Sequence, residues 1–506
     1  MAKNKKFRLI EVILSVICVV FVAEAAAPAA AIGNSQFFWW IFLIIAFLLP
    51  YGLIVAELGT TYEDEGGLYD WVRRAFGDRW GSRVSWYYWV NFPLWMASLS
   101  FFFPDIIMLL TGTEISMFWS VVIQLAFVWI VVFLSFSRVS DSKWILNLSA
   151  VLKVIIALAL GGLGISHVVS NGFAVSMEAS SFLPTFDVSG LTYLSIILFN
   201  FMGFEVVTTY ARSMQNPQRQ IPLAIIVGGI AIAAIYLFSS FGIGAAIPAN
   251  EVSLDSGIMD AMAIMTGDGS LLVAIIGVVF LLTLFGNMLS WSFGVNFVAE
   301  YAAKKKNMPK PYAIENKKTE MPNGASVING IVASVLILAH PIMAAVGLEN
   351  FFWLFFSMSI CFLLISYVPM FPAFMKLRKA DPNANRIFKV PGGKGLIAVL
   401  SWLPSILLIA GIIATIVPLD GSEEELSKLP MLIGFFSIVI IGEVVRIVSA
   451  RGRKEEYCGM AKSGAPETWD VAHGYIEPPE ETEDEEALEE ATEDGNEEVT
   501  VKEPLS

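Results

Sequence analysis

Charge is scarce in this 506-residue chain: 15% of residues are Asp, Glu, Lys or Arg, against 56% hydrophobic. A soluble domain carries nearer a quarter charged residues. A mean hydropathy of +0.67 means more apolar surface than one soluble core can hide. That excludes an ordinary soluble protein and leaves a lipid bilayer as the solvent. Cysteine is scarce too, three in all: Cys18 and Cys361 lie in apolar segments and Cys458 near the C-terminus. No disulfide framework or metal-ligand spacing follows from them. Of the three histidines, His340 precedes Pro341 and His167 lies near a span end, and neither has metal partners in the sequence. No metal and no cofactor is assigned. The chain also lacks a Ser/His/Asp set and a phosphate loop, so an enzyme is not expected.

The net charge of −14 is a property of one segment. Residues 475–506 hold fourteen Asp or Glu and one Lys, leaving about −1 for everything before them. That acidic stretch has no apolar periodicity and reads as disordered. At the other end, Lys3, Lys5, Lys6 and Arg8 precede an apolar run. The run is too long for a signal peptide and more apolar runs follow, so it reads as a retained first helix.

Apolar stretches of about twenty residues cross a bilayer. Twelve are present, at 9–32, 37–58, 85–111, 116–136, 144–165, 190–211, 222–246, 270–298, 325–346, 351–375, 396–417 and 430–449. All are expected to be helical, because lipid offers no partner to a free backbone group. Arg73, Arg74, Arg79, Arg83, Arg138, Lys143, Arg212, Arg219, Lys304, Lys305, Lys306, Lys310, Lys317, Lys318 and the cluster from Lys376 to Lys394 all fall in the even-numbered connections. The odd-numbered connections hold one basic residue, Lys428. Basic residues mark the cytoplasmic side, which predicts both termini inside and a chain in the cell (inner, cytoplasmic) membrane. The domain reading is a cytoplasmic N-terminus (1–8), a transport core of ten helices (9–375), a cytoplasmic loop with helices 11 and 12 (376–449), and a cytoplasmic acidic tail (450–506).

Function in a membrane protein gathers at helix interruptions and buried ionisable groups. The first span contains Val22-Ala23-Glu24-Ala25-Ala26-Ala27-Pro28. Pro28 removes a donor and disfavours helix at Ala27, and Ala25, Ala26 and Ala27 let a ligand approach the backbone. The reading is a broken helix at a substrate site, or else a proline kink with alanines for close packing. The sixth span contains Asn200-Phe201-Met202-Gly203-Phe204-Glu205, where Gly203 admits unusual backbone angles. Glu205 needs protein, water or a cation beside it, either as part of a site or bonded to a neighbouring helix.

Interruptions in spans one and six are the pattern of two five-helix repeats inverted in the membrane. Half-helix ends offer N–H donors to a carboxylate and C=O acceptors to an ammonium, which suits an amino acid zwitterion. Lys153 lies in the fifth span, about ten residues from its cytoplasmic end. If it faces the core it loses hydration and can exchange protons, or replace a bound Na⁺; otherwise it snorkels to the inner interface. Asn287 and Trp291 share a face of the eighth span, where they line a pocket or make interhelical contacts. Tyr367 in the tenth span is a further pocket candidate.

Two segments resemble the amino acid–polyamine–organocation (APC) permeases. One runs from Val55-Ala56-Glu57-Leu58-Gly59 to Arg73-Arg74-Ala75-Phe76-Gly77; the other is Met202-Gly203-Phe204-Glu205 followed by Asn216-Pro217-Gln218-Arg219-Gln220-Ile221-Pro222. Ile247-Pro248-Ala249-Asn250-Glu251 and Phe388-Lys389-Val390-Pro391-Gly392-Gly393 are similar to loops of the glutamate:GABA antiporter branch. The resemblance implies a five-plus-five inverted repeat, alternating access, and proton-linked or exchange transport of amino acids or related amines. It places Glu205 and Trp291 at functional positions and matches Lys153 to a lysine that some proton-coupled permeases use in place of sodium. The chain departs from the pattern in its alanine-rich first interruption. It departs again at Asn287, where the antiporter branch has an acid, which implies a different side-chain preference, toward neutral solutes.

The expected function is therefore a secondary active transporter of amino acids or amines. A sodium-coupled symporter and a non-transporting nutrient sensor are the alternatives. Partners are the small solute, protons and membrane lipids at the basic inner loops. No nucleic acid partner and no oligomeric state is assigned.

Overall fold

A computed structural model describes residues 8–62, 66–139, 141–175, 177–184, 194–205, 214–267, 269–344, 351–386 and 388–450. The expected acidic tail, and the inner half of span 6 with Arg212, lie outside the described residues.

Ten helices among the described residues are long and apolar enough to cross a membrane. They match ten of the twelve expected spans: Gly33–Thr61 (span 2), Asp78–Thr111 (3), Met117–Leu134 (4), Lys143–Asn171 (5), Arg219–Ala246 (7), Leu271–Lys304 (8), Asn323–Ala344 (9), Phe351–Ala380 (10), Lys394–Ile416 (11) and Leu429–Ala450 (12). The two that are not continuous are spans 1 and 6. Span 1 is Leu9–Val20, then a turn, then Ala26–Ala30; span 6 begins as Leu194–Phe199 and stops.

The packing repeats itself. Span 3 lies along span 10, and span 5 along span 8. Shifting each number by five turns the first pair into the second, as two inverted halves of five require. Spans 3 and 8, and spans 4 and 9, pack on each other and are each their own image under the same operation. This is the five-plus-five inverted repeat with interrupted helices 1 and 6. Spans 4, 9, 11 and 12 are the least buried, while Phe351–Ala380 is the most enclosed.

Local sequence explains the irregular points. Span 2 passes through a single π turn at Ile44–Leu48 just before Pro50, whose ring nitrogen cannot close the usual hydrogen bond. Spans 5 and 7 meet with backbone against backbone. A Cβ on Gly164 would lie 2.6 Å from Gly242 Cα, and one on Gly242 only 2.2 Å from Leu160 O. Small residues at such a crossing replace the hydrophobic drive that lipid removes.

At the end where the basic loops gather, many of the charges are paired. Glu57 at the foot of span 2 accepts from Arg378 Nε (2.7 Å), Arg378 Nη2 (2.5 Å) and the Val390 amide (2.7 Å), with Arg386 Nε at 3.2 Å. Arg378 and Arg386, expected among lipid-facing basic residues, are turned inward to this buried acid. Asp70 pairs with Arg73 and Arg74. Burial alone would raise the Asp70 carboxyl, but the Arg74 and Arg73 guanidiniums hold it below the usual carboxylate range. Arg83 reaches Glu443 of span 12 at 2.5 Å. Lys310, Lys317, Lys318, Lys376, Lys379, Lys389 and Lys394 stay exposed.

Candidate functional site

The turn in span 1 sits earlier than Pro28 suggests. Helix stops at Val20; Phe21 and Val22 are extended, with ψ of 114° and 113°. A 3₁₀ turn at Ala23–Ala25 follows, and helix resumes at Ala26–Ala30 with Pro28 inside it. The reason is that proline is tolerated in the first turn of a helix, where its missing N–H has no partner to lose. Pro28 therefore helps begin the second half-helix and does not cause the break.

The freed backbone groups around the turn are met by side chains from three other spans. Trp291 Nε1 of span 8 donates to Val19 O at 2.7 Å. Lys153 Nζ of span 5 donates to Phe21 O at 2.6 Å. Tyr236 of span 7 accepts from the Val22 N–H at 2.8 Å and donates to Val20 O at 3.3 Å. Lys153 is fully buried and does not snorkel to an interface. Its ammonium also donates to Asn287 Oδ1 at 2.9 Å, and Asn287 Nδ2 donates to Glu24 Oε1 at 3.1 Å. Asn287 is thus bonded on both faces of its amide.

Span 6 turns at Gly203, whose φ of +103° is in the region that favours glycine. A Cβ there would fall 2.9 Å from Trp291 Cζ2 and 3.1 Å from Val19 Cγ1. Both interruptions therefore close on the same indole. Past the turn, Glu205 accepts from Tyr51 (span 2) at 2.5 Å and Tyr88 (span 3) at 2.9 Å. The Tyr367 ring lies 5.7 Å from that of Tyr51 and 6.3 Å from that of Tyr88.

Each acid follows its interruption: span 1 meets the indole at Val19 and carries Glu24 five residues on, and span 6 meets it at Gly203 and carries Glu205 two residues on. Trp95 of span 3 packs edge-to-face on Trp291 (5.4 Å) and Phe199 (5.3 Å). Both amide atoms of Asn200 and Ser357 Oγ are buried with no hydrogen-bond partner among the described residues. Trp95 Nε1 faces the Glu24 carboxyl and the Tyr367 hydroxyl faces Glu205, each just outside hydrogen-bond geometry. Unmatched polar atoms are costly in a dry interior, and these come from spans 1, 3, 6 and 10.

The other expected site residues have ordinary partners. Ala25 donates to Val22 O, and Ala26 O accepts from Ser240 at 3.4 Å. Ala27 packs near Gly257, and Phe204 lies against Tyr51 and Gly229. Met202 is buried in the span 6 turn. Tyr51, Tyr88, Trp95 and Tyr236 are drawn in without having been singled out from the sequence. Tyr88 and Trp95, seven residues apart on one helix face, were the readable sign.

Residues 7–442 match the amino acid permease family. The probable agmatine/putrescine antiporter AguD of Lactococcus lactis is 51% identical over 444 residues, covering 87% of this chain and 95% of that one. A glutamate/gamma-aminobutyrate antiporter of the same organism is 23% identical over 416 residues, covering 79% and 82%. Among solved structures, MhsT in complex with L-phenylalanine superposes with a TM-score of 0.54 at 15% identity, over 81% of this chain and 99% of that one; that likeness shows a shared fold.

Proposed function

The chain belongs to the amino acid permease family, and from that premise we propose that it exchanges small cationic amines, of the agmatine and putrescine kind, by alternating access across the cell membrane. One observation carries this reading: a buried carboxylate stands beside each helix interruption, Glu24 and Glu205, each about 1% exposed. An acid inside a membrane is costly and is kept for pairing with a cation. Two acids, one at each interruption, suit a solute with a positive charge at each end. The indoles of Trp95 and Trp291, packed edge-to-face, supply further cation attraction. The similarity to a probable agmatine/putrescine antiporter supports the same class. The preference for neutral solutes expected from Asn287 gives way, because Asn287 is engaged by Lys153 and Glu24.

Within this reading Ala25–Ala27, Asn200, Met202, Gly203, Phe204, Glu205, Trp291 and Tyr367 belong to the binding region, and Asn287 supports it from behind. Lys153 is the proton-coupling group. Exchange of two solutes of equal charge moves no net charge, so its proton becomes visible in net uptake without a counter-solute. The basic even-numbered connections support cytoplasmic termini, and the exposed lysines at that end suit anionic lipid head groups. Residues 9–375 form the transport core, 376–449 a cytoplasmic loop with helices 11 and 12, and 450–506 an acidic cytoplasmic tail.

The test is counterflow. Proteoliposomes are loaded in turn with putrescine, agmatine, gamma-aminobutyrate, glutamate and the common amino acids, and uptake of labelled putrescine is followed. Putrescine and agmatine inside are expected to drive it. If only amino acids drive exchange, or none of these solutes does, the amine reading fails.

A further inference from the structure

We propose that Glu24 selects against solutes that carry an α-carboxylate, so that the site takes an amine and refuses the amino acid from which it derives by decarboxylation. This rests on the exchange reading above.

The argument begins with what a broken helix ordinarily offers. Where span 1 resumes, exposed N–H groups and the positive end of a half-helix would welcome a carboxylate. In this chain a carboxylate of the protein already stands there. Glu24 occupies the 3₁₀ turn from which the second half-helix rises, and its side chain faces the N–H of its own residue. One oxygen is held by Asn287 at 3.1 Å. The other, Oε2, is buried, with the Trp95 indole N–H turned toward the carboxyl just outside hydrogen-bond geometry. That neutral donor leaves the negative charge uncompensated, and a ligand ammonium or guanidinium would meet it.

A second carboxylate brought to the same place meets like charge in a medium that screens little. A juxtaposed like charge is how an interface rejects a wrong partner. The nearby cation does not reverse this. Lys153 is anchored to Phe21 O and to the opposite face of the Asn287 amide, so a solute carboxylate reaching for it finds Asn287 and Glu24 in between. The span 1 carbonyls that would take an α-ammonium are occupied as well: Val19, Val20 and Phe21 by Trp291, Tyr236 and Lys153. Of the two halves of a zwitterion site, one is filled and the other carries the wrong sign.

The test compares putrescine with ornithine, the same diamine bearing an α-carboxylate, as labelled substrates of the full-length protein in proteoliposomes. Wild type is expected to favour putrescine strongly. Glu24→Gln, of nearly the same shape, should raise the KM for putrescine about 30-fold or more and bring the putrescine-to-ornithine ratio of kcat/KM toward parity. Glu24→Asp, which keeps the charge but draws it back by one methylene, should raise KM and keep the preference. Thermal unfolding in detergent gives a readout independent of flux: putrescine, and not ornithine, should stabilise wild type, and that difference should vanish in Glu24→Gln. If Glu24→Gln retains the wild-type ratio, or Glu24→Asp loses it, the assignment of selectivity to Glu24 is overturned while amine exchange stands. If wild type exchanges no amine, both readings fall.

Discussion

Lys153 and Glu24 are bonded to opposite ends of one side-chain amide: Asn287 accepts from the ammonium at 2.9 Å and donates to the carboxylate at 3.1 Å. A lysine has only donors and an ionised carboxylate only acceptors, which fixes the orientation of the amide between them. Asn287 is one of the few residue types able to serve both at once. Asn287→Ala should leave two buried charges short of a partner and cost about 1.5–3 kcal/mol for each bond lost. We expect a lower unfolding temperature in detergent and a KM for putrescine raised about tenfold or more, both measurable on the purified variant.

Lys153→Ala should abolish the pH dependence of net uptake while leaving a folded protein. Counterflow between two equally charged amines should survive better than net uptake, because it needs no proton. Proton movement followed with an internal pH dye during uptake checks this, in buffers with and without sodium. Unaltered proton dependence would remove the coupling role; a requirement for sodium in wild type would favour symport.

Glu205→Gln should weaken transport more than membrane insertion. Tyr51 and Tyr88 donate to different carboxylate oxygens; in the Gln variant one hydroxyl can still donate to the amide oxygen and the other can turn to accept from the amide N–H, so packing is kept while the charge is lost. Tyr51→Phe with Tyr88→Phe should do the reverse, leaving a charged acid with fewer donors. Exchange rates normalised to the amount inserted separate the two. Equal loss in both series would mean that Glu205 serves only to hold spans 2, 3 and 6 together.

Gly203→Ala places a methyl 2.9 Å from the Trp291 ring on a backbone of φ +103°. Strain of about 1–3 kcal/mol is expected from the backbone alone. Because both interruptions close on that indole, substrate affinity should fall together with stability. The KM for putrescine and the unfolding temperature of the purified variant measure the two losses together.

The Asp70 carboxyl is held below its ordinary range by Arg74 and Arg73 despite its burial. A group depressed in the folded state stabilises the protein above its unfolded pKa, and the contribution is lost as pH falls through the folded value. Asp70→Asn should therefore lower stability at neutral pH, by about 3–5 kcal/mol for a buried pair broken from one side. The gap from wild type should narrow only in strong acid. Unfolding temperatures of both proteins across that range measure it.

The spans were legible because lipid demands long apolar runs, and ten of the helices fall within a few residues of where hydropathy places them. The interruption in span 6 was legible through Gly203. The one in span 1 was readable in kind but not in place: proline marks where a helix is allowed to start as well as where it stops, and only the neighbours that take up Val19 O, Phe21 O and the Val22 N–H show which. Glu24 lay inside the quoted run of span 1, yet the alanines beside it drew the expected contact. Its place between Asn287 and the Trp95 indole is a fact of tertiary structure. Tyr51 and Tyr236 were hidden for the same reason, since in an apolar helix an aromatic facing lipid and one facing a solute look alike.

The seam between spans 5 and 7 has a consequence for movement. Gly164 meets Gly242 there, and the Phe238 ring of span 7 lies over Gly161 of span 5, so one helix cannot slide past the other without displacing backbone. Lys153 stands on one of these helices and Tyr236 on the other, and together they grip the turn of span 1. Spans 5 and 7 are then expected to move as one body during transport, and cross-links between Leu160 and Gly242 neighbours should leave the carrier able to turn over.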